Sequence, residues 1–204
     1  MSTYFKIFSL PQHLVIDTAA LEKSFYALSR RLHPDRFAGR PAAEQEAALA
    51  ESSRLNDAYR TLKDPIRRTE YLLKLEGVEL EEQSRAATDQ ARAAGTAKKQ
   101  VVPEDLLEEA FELNMQLEEM RAATKMGEDD PQLRADLLAA KQSFDGKLAA
   151  ADASLEALWT RWDSAFDAAD AAGKDAARDS MVALLNRRSY LRNLVRDVNE
   201  ALGL

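Results

Sequence analysis

Residues 17–37 read DTAALEKSFYALSRRLHPDRF. Leu21, Phe25, Leu28 and Leu32 recur at intervals of four, three and four, which is one face of an amphipathic helix. Asp17 suits the N-cap of that helix, because a short carboxylate accepts from the orphan N–H groups of the first turn. Lys23 and Arg30 are seven residues apart and fall on the opposite face, with Arg31 on the flank. Pro34 ends the helix: it has no N–H and restricts the residue before it. His33-Pro34-Asp35 therefore opens a loop that runs to Arg40.

Pro41 suits the first turn of a second helix reaching about Lys63, with Ala48, Leu55, Ala58, Tyr59 and Leu62 as its inner face. Asp64-Pro65 breaks it and starts a short helix with Tyr71, Leu72 and Leu75, which Gly77 stops. Ahead of these lies an apolar stretch, residues 3–10, closed by Pro11. Two long helices joined at the tripeptide make a hairpin, with His33-Pro34-Asp35 exposed at its tip. Such a tip is suited to docking. Pro34 fixes the backbone, Asp35 can pair with a partner's arginine, and His33 offers ring nitrogens for hydrogen bonds. The bland alternative is an ordinary helix stop and turn. A catalytic role for His33 with Asp35 lacks a nucleophile, a glycine-rich loop or a third orienting group. The only other histidine, His13, sits in a loop where a solvated role is expected. With two distant histidines and no cysteine, neither a metal centre, a disulfide nor a thiolate-held cofactor is expected.

The rest of the composition agrees. The 204 residues include only seven Gly and six Pro, which points to an all-α protein. No apolar run is long enough to span a bilayer and the N-terminus does not read as a secretory signal, so a cytoplasmic location is expected. Residues 1–76 carry 12 Lys and Arg against 10 Asp and Glu, while residues 77–204 carry 16 against 25. So acidic a second half argues against nucleic acid, which needs a cationic surface. The slightly basic first part suits an acidic protein partner.

Residues 77–102 are expected to be a polar, Ala-rich linker between a hairpin domain, 1–76, and an antiparallel three-helix bundle, 103–204. The first bundle helix runs from Pro103 to about Met126 and the second from Pro131 to Ala172. Phe144, Leu148, Ala151, Leu155, Leu158 and Trp162 form the seam of the second helix. The third runs from Lys174 to Leu202, with Met181, Leu184, Leu191, Leu194, Val198 and Leu202 facing inward. Gly127-Glu128-Asp129-Asp130 and Gly173 make the links. A 42-residue second helix would be about 63 Å long against about 36 Å for the first, so it should project, bend or break. Gly146 is the expected weak point, at about 1 kcal/mol of helix propensity.

Four segments bring a known family to view: Tyr4-Phe5-Lys6-Ile7-Phe8-Ser9-Leu10-Pro11, His33-Pro34-Asp35-Arg36-Phe37, Leu55-Asn56-Asp57-Ala58-Tyr59-Arg60-Thr61-Leu62 and Glu70-Tyr71-Leu72-Leu73. Across its first 75 residues the chain resembles the HscB family, J-type co-chaperones of iron–sulfur cluster assembly. The Tyr-Phe opening and the Glu-Tyr-Leu-Leu segment separate that family from general J-domains. The resemblance implies a non-enzymatic protein. Its J-domain would stimulate ATP hydrolysis by an HscA- or DnaK-type chaperone through His33, Pro34, Asp35, Lys23, Arg30 and Arg31. Its bundle would deliver the scaffold protein IscU for cluster transfer.

The scaffold-binding residues carry over onto Leu106–Leu117, which reads Leu-Leu-Glu-Glu-Ala-Phe-Glu-Leu-Asn-Met-Gln-Leu. The family's Phe-Leu-Met-Glu-Gln-Leu-Glu-Leu-Arg-Glu-Glu-Leu registers on it through Glu112-Leu113. That places Leu107, Glu108, Phe111, Glu112, Met115 and Glu119 on the binding face, with Tyr190 of the last helix as a further contact. Glu108 stands where the family has Met, and Met115 where it has Glu. The spacing supports the face independently, since Leu107, Phe111, Met115 and Glu119 step by four, with Glu108 and Glu112 beside them. Leu106, Leu113, Leu117 and Met120 form a separate stripe for the core. The alternatives are that Phe111 and Met115 are core, that the bundle serves a different client, or that the chain is a structural coiled coil.

Overall fold

A computed structural model describes residues 3–78 and 103–204, so most of the expected linker lies outside the described residues. All regular structure among the described residues is helical: α1 (Tyr4–Ile7), α2 (Thr18–Leu32), α3 (Ala42–Lys63), α4 (Pro65–Leu75), α5 (Leu107–Met126), α6 (Pro131–Asp167) and α7 (Ala171–Leu202). Two single 3₁₀ turns, Pro34–Phe37 and Glu104–Leu106, precede α3 and α5. The described residues fall into two compact units, 3–78 with 158–179, and 103–157 with 180–204.

In the first unit, α2 and α3 pack along one another as the hairpin. Asp17 caps α2 by accepting from the N–H groups of Ala19 and Ala20 at 2.9 and 3.0 Å. Leu21 of α2 and Leu55, Ala58 and Leu62 of α3 are buried. The Phe25 ring stacks on Tyr59 at 4.1 Å between centroids. The Tyr59 hydroxyl donates to Glu22 at 2.9 Å, and Lys63 donates to the Tyr59 oxygen at 3.0 Å. Those two donors hold the Glu22 carboxyl below its usual range. Asp64 caps α4 through Arg67 N–H, and Gly77 closes α4 in the left-handed region at φ 82°.

The Tyr-Phe opening and the Glu-Tyr-Leu-Leu segment meet in space. Tyr4 stacks on Tyr71 at 4.4 Å and its N–H donates to the Tyr71 hydroxyl at 3.0 Å. Phe5, Leu72 and Leu73 are fully buried.

The same unit contains the turn between α6 and α7. The Trp162 indole N–H donates to the Gln12 carbonyl at 3.1 Å, and its ring is fully buried. The Asp163 carboxylate accepts from the N–H groups of Leu14 and Val15 at 2.7 and 2.9 Å. His13 reaches Asp167 at 2.8 Å with its ring edge-on to Phe166. Lys174 lies over Trp162 at 4.8 Å and meets the Glu76 carboxylate at 3.5 Å. Residues 10–16 thus lack a regular helix of their own and borrow hydrogen-bond partners from a segment about 150 residues on. Replacing Asp163 by Ala removes both acceptors and strands the part-buried Leu14 N–H, which is expected to cost about 1–3 kcal/mol. The check is a denaturant titration followed by tryptophan fluorescence. A lowered midpoint is the expected result, and an unmoved midpoint contradicts the clamp.

The second unit is the bundle. Leu106, Leu113, Leu117, Leu137, Phe144, Leu191 and Val198 lead its core. Ion pairs Lys147–Glu109 at 2.8 Å and Arg187–Asp105 at 2.7 Å tie neighbouring helices. Gly127 ends α5 in the left-handed region at φ 73°.

Three expectations about the bundle are corrected. The second helix has 37 residues, not 42, and runs unbroken through Gly146. A glycine's cost of about 1 kcal/mol is small beside the packing of a helix whose seam is buried on both sides of it. The excess length is absorbed because the turns after residue 157 belong to the first unit. The link to the third helix sits at Ala168–Asp170, with Ala169 at φ 52°, and Gly173 lies inside α7. There Asp170 accepts from the Gly173 N–H at 3.0 Å, and any β-carbon at 173 would collide with that carboxylate. Finally, Leu185 rather than Leu184 is buried on α7, four residues after Met181.

Candidate functional site

Asp35 sits at the start of a 3₁₀ turn rather than in an irregular loop. The turn is held by its own backbone: Arg36 N–H donates to the His33 carbonyl at 3.0 Å, and Ala38 N–H to the Asp35 carbonyl at 3.4 Å. Asp35 N–H donates to His33 Nδ1 at 3.3 Å. The Asp35 side chain is 88% exposed and its nearer oxygen lies 3.4 Å from His33 Nδ1. The tip therefore offers a solvated carboxylate on a backbone already fixed.

Arg30, Arg31 and Arg36 are exposed next to this turn, and Lys23 is exposed farther up α2. Arg30 and Arg36 reach only backbone carbonyls, those of Tyr26 and Arg30, at 3.3 and 3.4 Å. Among the described residues none of the four is in an ion pair. A helix face with unneutralised cations next to a fixed carboxylate can dock on an acidic surface and place one anion against a cation there. Sequence reasoning missed Tyr26, which is 55% exposed within this face. Its spacing, three after Lys23 and four before Arg30, was the signal that could have found it.

On α5 the two expected stripes separate cleanly. Leu106, Leu113, Leu117 and Met120 are buried in the bundle. Leu107, Phe111 and Met115 are 52, 69 and 60% exposed, and Glu108, Glu112 and Glu119 are exposed beside them. Phe111 and Met115 are thus not core. Three large apolar side chains thus lie exposed in one row along α5. Tyr190 does not join them. It packs into the core with Leu191 and Leu194, and burial pushes its hydroxyl up from the usual range. Aromatic character alone could not tell these two environments apart.

No helix among the described residues is long and apolar enough to cross a membrane. Nor does any group of three or more His, Cys, Asp or Glu among them have the arrangement to hold a metal ion.

The DnaJ domain matches this chain over residues 3–71. The co-chaperone HscB homologue of Neisseria meningitidis serogroup B is 51% identical over 79 residues, 39% of this chain and 48% of the relative. That of Vibrio cholerae is 46% identical over 77 residues, 38% and 45% of the two chains. The matched part of this chain therefore spans about half the length of these curated relatives. In three dimensions the likeness is longer. The structure of chaperone HscB from Vibrio cholerae has a TM-score of 0.60 at 26% identity, covering 98% of each chain. The human co-chaperone HscB structure has a TM-score of 0.58 at 24% identity, covering 98% of this chain and 82% of its own, and speaks for the fold. Residues 3–71 thus match the DnaJ domain, and the chain resembles the HscB co-chaperones in sequence across that stretch and in fold across 98% of its length.

Proposed function

We propose that this chain is a two-faced adaptor that stimulates the ATPase of an HscA- or DnaK-type chaperone and delivers an IscU-type iron–sulfur scaffold protein to it. It performs no chemistry of its own, and its working location is the cytoplasm. The supporting observation is the pairing of two exposed surfaces of different chemistry. One is the cationic α2 face with the solvated Asp35 carboxylate, and the other is the Leu107, Phe111, Met115 row edged by glutamates.

The first surface, made by Lys23, Arg30 and Arg31, gathers the chaperone by long-range attraction. His33, Pro34 and Asp35 then act on its ATPase. A contact stimulates hydrolysis only to the extent that it is stronger in the hydrolysing conformation than in the resting one. The turn, fixed by its own backbone, wastes little of that interaction on ordering itself. The second surface holds the client with Leu107, Phe111 and Met115 as anchors. Glu108, Glu112 and Glu119 select a partner with cations around an apolar patch. Holding both proteins on one chain raises their effective concentration for each other.

The changes at Glu108 and Met115 relative to the family pattern favour a second reading, in which the bundle serves a different client. One pull-down with the purified chain separates the two. Recovery of both the chaperone and the scaffold protein supports the first reading. Recovery of the chaperone without the scaffold supports the second.

A further inference from the structure

We propose that Met115 is an oxidation site that switches the client surface off: hydrogen peroxide converts its thioether to the sulfoxide, and the polar group so made breaks the apolar row on α5. The inference rests on the client-binding reading above and adds to it a chemical control.

The chain has no cysteine and five methionines, so methionine carries all of its sulfur. Exposure divides the described ones. Met120 and Met181 are buried, whereas Met115 and Met126 are exposed. Of the exposed pair only Met115 stands in the row with Leu107 and Phe111, whose hydrocarbon side chains offer a peroxide no sulfur. The row therefore has one oxidisable member. Met115 stands where the family pattern has Glu, which does not undergo this reaction, so the site is a property of this chain.

The reaction needs hydrogen peroxide and nothing else. An S–O bond forms as the O–O bond breaks. The thioether loses two electrons, and the peroxide is reduced to one water that keeps both hydrogens. The product carries a strong hydrogen-bond acceptor where an apolar group stood. The side chains three and four positions away on the helix, Phe111, Glu112, Glu118 and Glu119, offer it no donor while the carboxylates are ionised. An apolar client patch closing over that oxygen leaves it desolvated and unpaired, and the cost falls on binding. Residues 3–78 contain no methionine, so the His33-Pro34-Asp35 turn and the cationic α2 face keep their chemistry. Oxidation thereby releases the client and spares the surface that meets the chaperone.

The test is calorimetric titration of the full chain with an IscU-type scaffold protein before and after hydrogen peroxide, with the sulfoxides located by peptide mass. Treated wild type is expected to carry sulfoxide at Met115 and Met126 but not at Met120 or Met181. It should bind about tenfold more weakly, within the range for burying an unpaired polar group. Methionine sulfoxide reductases should restore the affinity. Met115→Leu, close in volume, should hold its own affinity through the treatment, while Met126→Leu should lose affinity as wild type does. A chain oxidised at Met115 that binds as before overturns the inference, and so does a loss that persists in Met115→Leu. The thermal midpoint should survive treatment, and a fallen one would assign the loss to the core and overturn the inference too. Untreated wild type that fails to bind the scaffold protein instead overturns the client-binding reading, and this inference with it.

Discussion

Replacing Asp35 by Asn is expected to return the chaperone's stimulated ATP turnover to its basal rate while leaving scaffold binding unchanged. Asparagine is nearly isosteric with aspartate, and the turn does not depend on the carboxylate. The Asp35 N–H bonded to His33 Nδ1 and its carbonyl bonded to Ala38 N–H are backbone groups that asparagine keeps. What the substitution removes is one solvated negative charge. A charge-assisted hydrogen bond is worth about 1.5–3 kcal/mol, roughly twice a neutral one. If that bond is made in the hydrolysing state of the chaperone and not in the resting state, its loss falls on the rate. The measurement is single-turnover ATP hydrolysis with saturating chain. Undiminished stimulation by Asp35→Asn would falsify the assignment of the turn as trigger.

The second large effect belongs to α5. Changing Leu107 and Phe111 together to Ala is expected to weaken scaffold binding by more than about 2 kcal/mol, roughly 30-fold or more in Kd. Both side chains lie outside the core, at 52 and 69% exposure, so the bundle should melt as before. That separates the surface from a packing role, which would appear as lost stability. Isothermal calorimetry at wild-type affinity would move the client site elsewhere on the bundle.

Local patterns made the helical hairpin legible. The Leu21-to-Leu32 face, the Asp17 and Asp64 caps, the Gly77 stop and the cationic face each depend on residues within a few turns of one another. The α5 stripes were legible for the same reason. Leu106, Leu113, Leu117 and Met120 already supply a full core face, which leaves Phe111 and Met115 outside. What stayed hidden is non-local. Trp162 continues the α6 seam by spacing, yet its indole serves the Gln12 carbonyl 150 residues away, and periodicity carries no trace of that partner. Gly146 misled because a local propensity cost was weighed without the packing that outweighs it. Gly173 misled because a close approach to Asp170, rather than a turn, requires it. The resemblance implies Tyr190 as a further scaffold contact, and its burial depends on tertiary packing that the resemblance does not carry.

The central claim is that one chain couples a client to an ATPase. Its most direct test is steady-state ATP turnover of an HscA- or DnaK-type chaperone with the chain alone, the scaffold protein alone, and both together. The account predicts that both together exceed the product of the separate stimulations, and that the Leu107→Ala, Phe111→Ala chain loses this excess while keeping its own stimulation. A rate with both that equals the rate with the chain alone would contradict it.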